Sequence, residues 1–169
     1  DDGAGMTSSE LQNAMRFGSD SELDPYSLGK FGMGLKLASF SHARELTVIT
    51  RRNRRASGRR WTLDRIGDDW SSEILNRTDV RRVIDSPVNS VKMQKSGTVV
   101  IWDQLDKLPP SKGGLRNTLR SIHRRLQLHL GLCFHRFIED KRVQILIDQQ
   151  ELGEAEHHIQ VSIPALDPF

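Results

Sequence analysis

The chain has few groups that react with one another and none that would insert in a bilayer. Its single cysteine, Cys133, stands alone among 169 residues, so no disulfide forms within the chain, which suits a reducing cytoplasm or, in a eukaryote, a nucleus. No apolar run approaches the roughly 18 residues of a spanning helix. The N-terminus also lacks the basic-then-apolar order of a signal segment, so no membrane partner is expected. The six histidines do not make a ligand set. His157 and His158 are adjacent and point apart in a strand, while His123, His129 and His135 recur at six rather than at a ligating i, i+4 spacing. No Ser/His/Asp or Cys/His arrangement for nucleophilic catalysis can be built. Aromatic residues make up 6% of the chain, and none is interleaved with the arginines of 51–60, which leaves bases nothing to stack on there.

What the chain does have is glycine in two informative places. Asp1-Asp2-Gly3-Ala4-Gly5-Met6 sets a carboxylate beside two glycines, a pattern that lets backbone approach the flat edge of a ligand. Gly29-Lys30-Phe31-Gly32-Met33-Gly34-Leu35-Lys36 is a glycine-rich turn opening a helix, where backbone amides point outward and the helix dipole favours anions. Together they predict a purine-nucleotide pocket. Residues 29–36 are not a P-loop, because no Gly-Lys-Ser/Thr ends a GxxxxGK[ST] pattern, and the third glycine of a dinucleotide fingerprint is missing.

These motifs carry a family resemblance. Asp1-x-Gly3-x-Gly5-Met6 resembles the adenine-binding box of the GHKL superfamily, which includes heat-shock chaperones, DNA gyrase B subunits, histidine kinases, MutL and the MORC proteins. Gly29-x-Phe31-Gly32-x-Gly34 resembles its lid and phosphate box, and Ser96-Gly97-Thr98-Val99-Val100-Ile101 the strand that closes the adenine pocket. Met6-Thr7 and Leu35-Lys36 are most similar to the chaperone-like and MORC-like branch. The resemblance implies an α+β fold, a two-layer sandwich of the Bergerat type, with ATP and ADP as ligands and Mg²⁺ as the accompanying ion. It also implies dimerisation through upstream residues or downstream domains.

Each site residue then has an expected role. Asp1, acceptor-only when ionised, binds the exocyclic amine of adenine and repels the carbonyl of guanine. Gly3 and Gly5 keep side chains out of the base plane, Met6 provides a soft apolar wall, and the Thr98 hydroxyl backs Asp1 directly or through water. The amides of Gly32, Met33, Gly34 and Leu35 hold phosphate oxygens, with Lys30 and Lys36 neutralising charge. In the superfamily the general base is a Glu and the Mg²⁺ ligand an Asn, both on a helix before the adenine box. Here Asp1 opens the chain, so we expect a piece of a larger protein that binds ATP but does not turn it over alone.

Along the chain, Thr7-Ser8-Ser9-Glu10 is a capping box that predicts a helix with Leu11, Ala14 and Met15 on one face and Gly18 past its end. Residues 19–31 are polar, acidic at first, and contain Pro25; they are the candidate lid, expected to be mobile without nucleotide and protected with it. A helix from Gly34 to His42 and a strand from Glu45 to Arg52 follow. Strands are further expected at 59–66, 80–84 and 97–103, with Asn53 and Ala56-Ser57-Gly58 supplying turn chemistry. Pro109-Pro110-Ser111-Lys112-Gly113-Gly114 marks a boundary between an ATP-binding domain, 1–112, and a transducer-like region, 113–169. There Leu115, Leu119, Ile122, Leu126, Leu130, Cys133 and Phe137 form a helical apolar stripe, read as core, opposite Arg116, Arg120, Arg124 and Arg125. Val143 to Ile147 and Ile159 to Ile163 are strands, with a turn at Asp148-Gln149-Gln150.

The net charge of +3 covers an acidic first 25 residues and six arginines in 51–60. The bland reading of those arginines is a solvated hairpin tip. The alternative makes the chain a non-hydrolysing interaction module that binds nucleic acid or an acidic protein through them.

Overall fold

The computed structural model describes residues 1–18, 32–68, 71–86, 95–107, 114–150 and 158–167. They belong to two compact units, Asp1–Leu108 and Pro109–Phe169. The candidate lid, Lys30 included, and His157 lie outside the described residues.

The first unit is an α+β arrangement of helices on an antiparallel sheet. Helix α1, Ser8–Met15, starts where the capping box predicts: the Thr7 hydroxyl accepts from the Glu10 amide and the Glu10 carboxylate accepts from the Thr7 amide. Leu11 and Met15 are buried, whereas Ala14 is exposed. Helix α2 is Gly34–Phe40, and strand β1 is Ala43–Arg52. Strand β2, Arg55–Thr62, returns along β1 with Arg52 opposite Arg55, so the turn is only Asn53-Arg54, both at positive φ. Ala56, Ser57 and Gly58 are therefore strand residues and not turn residues. Gly58 is glycine for packing: a Cβ there would lie 3.0 Å from Leu75 Cδ1 and from Val80 Cγ2.

Two further expectations fail in the same stretch. Strand β2 stops at Thr62 and helix α3, Leu63–Asp68, takes over. Residues 80–84, read as a strand from their β-branched content, lie in helix α4, Arg77–Ile84, which follows the two-residue strand β3, Glu73–Ile74. The overlooked signal is a cap. Asn76 accepts from the Asp79 amide at 2.9 Å, satisfying an end donor that the β-propensity of Val80, Val83 and Ile84 cannot outweigh. Strand β4, Gly97–Leu105, matches expectation and completes the order β3-β2-β1-β4.

Strand alternation sends the two faces of β1 into two cores. Leu46 and Val48 pack with Trp61, Leu11 and Met15, and Met6, Phe17, Phe40 and Ile66 surround them. Ile49 faces the other way, onto Leu75 and Val80 with Val83, Ile84 and Val99. Met6 of the first glycine motif and Phe40 of α2 flank the first of these cores; α4 covers the second.

In the second unit, helix α5, Gly114–Cys133, is followed by the short helix α6, His135–Glu139, and a hairpin of β5, Leu146–Gln150, with β6, His158–Ser162. Asp148, Gln149 and Gln150 are thus strand residues, not a turn, and Val143 precedes the strand. The apolar stripe is broken at Phe134, and Phe137 belongs to α6. Its members are not core: Leu115, Leu119, Leu126, Cys133 and Phe137 are exposed, and the buried residues of α5 are Thr118 and Gly131. Gly131 is where the chain after β6 crosses the helix. A Cβ there would come within 2.8 Å of the Pro164 carbonyl oxygen, and the Leu166 amide donates to the Gly131 carbonyl at 3.1 Å.

Candidate nucleotide site

Asp1 lies against the start of β4 as a fully paired neighbour of Thr98. The Asp1 nitrogen donates to the Thr98 carbonyl at 2.7 Å, and the Thr98 amide donates to the Asp1 carbonyl at 3.1 Å. The backbone, rather than the threonine hydroxyl, joins these two residues. The Asp1 side chain is exposed, and its Oδ1 accepts from the Gly3 amide at 3.0 Å, an Asx-type turn that fixes the carboxylate. A Cβ on Gly3 would stand 3.1 Å from that oxygen, a tight contact that the exposed carboxylate would have to shift to relieve.

Gly5 is glycine for a different reason from the one expected. Its φ is +67°, and a Cβ would fall 1.9 Å from the Arg51 carbonyl oxygen. The box is therefore pressed against β1 at this point, and the close approach is to the protein's own backbone. One residue on, the Met6 amide donates to Thr50 Oγ1 at 2.8 Å. Thr50, fully buried, in turn donates to the Gly97 carbonyl at 3.1 Å and sits 3.2 Å from Thr98 Oγ1. A hydroxyl has one proton and two lone pairs. With its proton on Gly97, Thr50 accepts from both Met6 and Thr98, which leaves the Thr98 oxygen with acceptor capacity and no proton for Asp1. Thr50 was missed in the sequence because a threonine in a β-branched strand carries no mark of this use.

The phosphate motif gives a second set of positions. Gly32 is at φ +61°, and the N-cap Met33 makes no side-chain hydrogen bond to the first turn of α2. Among the described residues a Cβ on Gly34 would meet nothing within 4 Å, so none of them fills the space in front of this turn. Leu35 is exposed. Lys36 is placed otherwise than expected: it is 2% exposed, and its Nζ donates to the Ala14 carbonyl at 2.7 Å, with the Phe17 ring centroid 6.0 Å away. Burial pushes its pKa down from the usual lysine value. The ammonium thus serves the last carbonyls of α1, where Trp61 Nε1 also donates, to Met15, at 2.8 Å, and it does not face the turn of residues 32–35. Ser39, buried beside it on α2, donates to the Leu35 carbonyl and accepts from Trp102 Nε1 at 2.8 Å.

Next to the adenine box lies a cavity of about 780 Å³, bordered by Met6, Thr7 and Glu10 on one side and Arg52 and Asn53 on the other. Glu10 closes it with an ion pair to Arg52 at 2.7 Å. Its pKa is held at about 2, first by the Thr7 amide, then by the Thr7 hydroxyl and the Arg52 guanidinium. Among the described residues no group of three or more His, Cys, Asp or Glu could hold a metal ion, and no helix is long and apolar enough to cross a membrane.

Residues 1–98 match the family model described as histidine kinase-, DNA gyrase B-, and HSP90-like ATPase. The chain belongs to this ATPase family. The matched span begins at the adenine box and ends at Thr98, so it covers both glycine motifs and the whole of β1 and β2. A GHKL-type ATPase of this kind is an ATP-binding module, and ATP, usually with Mg²⁺, is its ligand. No curated protein matches the chain.

Proposed function

We propose that this chain is the ATP-binding part of a chaperone-like or MORC-like member of the family, in which Asp1 reads the adenine amine and the α2 turn holds the phosphates. The observation that carries the reading is the Asp1–Thr98 pair. It holds the Asp1 backbone on β4 while the carboxylate stays exposed and is fixed by the Gly3 amide. An ionised carboxylate, acceptor-only, suits an exocyclic amine and opposes the carbonyl of guanine. The space at Gly34 that no described residue fills and the uncapped first turn of α2 fit phosphate oxygens. Lys36 has no part in this reading, and Lys30 keeps it only as a candidate. A magnesium ion would travel with the nucleotide, its protein ligand coming from outside the described residues.

In this reading the closing of residues 19–31 over bound nucleotide, and the region 113–169 acting as the start of a transducer, couple the pocket to downstream domains or to dimerisation. Calorimetric titration tests the base assignment: the protein takes up ATP well ahead of GTP, and Asp1→Asn removes the preference. Equal affinity for both nucleotides, or an Asp1→Asn variant that binds ATP unchanged, overturns it.

A further inference from the structure

Behind the sheet, on the face that packs α4, the arginines of the hairpin acquire partners that the sequence does not suggest. A groove of about 880 Å³ runs between the β1–β2 turn and α4, lined by Arg51, Arg54 and Arg55 from the hairpin and by Arg77 and Arg81 from the helix. Asp85 is the one carboxylate among the described residues of its lining. Arg77 and Arg81 stand four residues apart and so share one side of α4, an arrangement that is mildly unfavourable for like charges without a counter-charge. Arg54 holds a left-handed backbone, φ +64°, at a hairpin position where glycine is the norm. Its amide is fastened to the Lys95 carbonyl at 3.1 Å. Among the described residues no ion pair ties up Arg54, Arg55, Arg77 or Arg81.

We propose that this groove takes the sugar–phosphate backbone of a nucleic-acid duplex, without reading its sequence. Arg54, Arg55, Arg77 and Arg81 are exposed and spread over two elements, with Arg51 half-buried behind them, which fits a line of separate charges better than one buried anion. Every one is arginine, whose planar fork matches phosphate in two hydrogen bonds. An acidic peptide would need an apolar or aromatic anchor at the centre of its footprint. Here Val80 is buried, Ile84 half-buried, and among the described residues no aromatic side chain lines the groove. That last fact also disfavours single strands, which bind by stacking bases on rings. A bilayer surface does not enter a concavity. Backbone contact alone positions a duplex and carries no base specificity.

The experiment is fluorescence anisotropy of the purified protein with two duplex DNAs of unrelated sequence, each of about two helical turns, titrated with salt from about 50 to about 200 mM. Both duplexes are expected to bind alike and better than a single strand. The variant Arg77→Gln/Arg81→Gln, checked for an unchanged circular dichroism spectrum, is expected to lower the slope of log affinity against log salt by about two. Asp1→Asn and the α5 variant Arg120→Gln/Arg124→Gln are expected to leave that slope as it is. The proposal is overturned if no duplex binds at the lowest salt, if the α5 variant loses slope and the α4 variant does not, or if polyglutamate binds as tightly as the duplex at equal charge concentration.

Discussion

The ammonium of Lys36 sits 2.7 Å from the carbonyl oxygen of Ala14, so a cation on α2 closes the C-terminal end of α1. The last turn of α1 has no basic residue of its own. Its end carbonyls, which have no partner within the helix, are served instead by Lys36 and by the Trp61 indole. This ties the helix after the adenine box to the helix that opens at the phosphate turn.

Removing that tie should cost stability in two separable parts. Lys36→Met keeps the apolar stem and strands the carbonyl, for about 1–2 kcal/mol. Lys36→Ala also loses the packed stem, for about 2–4 kcal/mol. Urea unfolding of the two variants measures both. Burial lowers the lysine pKa in the folded state, so below that value the native state bears a cost of keeping the proton. Stability therefore rises as pH climbs from the lowered folded value towards 10.5. The Lys36→Met variant should lack this rise.

Glu10 gives the opposite dependence. Its carboxylate is held at about 2 against an ordinary 4.5 by the Thr7 amide and hydroxyl and by Arg52. The native state thus prefers the ionised form. That contribution is complete above pH 4.5 and is lost as pH falls through about 2. Urea midpoints measured across this window should fall more steeply for the wild type than for Glu10→Gln. Parallel profiles would show that the Glu10 charge adds nothing.

Among glycines, position 5 and position 18 should part company. Both have positive φ, but a Cβ on Gly18 meets none of the described residues within 4 Å, while one on Gly5 strikes the Arg51 carbonyl. Gly18→Ala should cost about 1–2 kcal/mol from the left-handed backbone alone. Gly5→Ala should cost more than about 4 kcal/mol, since the box must leave β1. Thermal unfolding decides it, and similar losses at the two sites would contradict the close approach.

Gly34 separates folding from binding. A methyl group there meets none of the described residues at a helical backbone, so Gly34→Ala should stabilise the free protein by about 0.4–1 kcal/mol. The same methyl occupies the space proposed for phosphate, so ATP affinity measured by calorimetry should fall. A variant that is more stable and binds ATP as before would remove the phosphates from this turn.

The sequence made the nucleotide motifs and the elements beside them legible for a local reason. The Thr7–Glu10 box, the glycines before α2 and the β-branched run of β1 each act within a few residues of themselves. What stayed hidden depends on distance. Lys36 looks like a phosphate lysine until Ala14, 22 residues away, is seen to hold it. Gly5 looks like ligand clearance until Arg51 is seen to press on it. The leucines of α5 have helical spacing, yet spacing says only that they share a face, and Leu115 is 61% exposed. Residues 80–84 are rich in β-branched side chains, and the cap that makes them helical lies outside that run, at Asn76; the groove that Arg77 and Arg81 help to line depends on that helix.

Thr50 gathers the Met6 amide, the Gly97 carbonyl and the Thr98 hydroxyl on one buried oxygen, and this has a consequence for hydrogen exchange. The Met6 amide lies outside every helix and strand, where loop amides ordinarily exchange fast by local fraying. Its acceptor, however, is a side chain sealed inside the sheet. For deuterium to reach that nitrogen, the segment must lift off Thr50, with Gly5 beside it leaving its close seat on the Arg51 carbonyl. The Met6 amide should therefore exchange more slowly than the neighbouring loop amides that have no such acceptor, and a Thr50→Val variant should remove the difference.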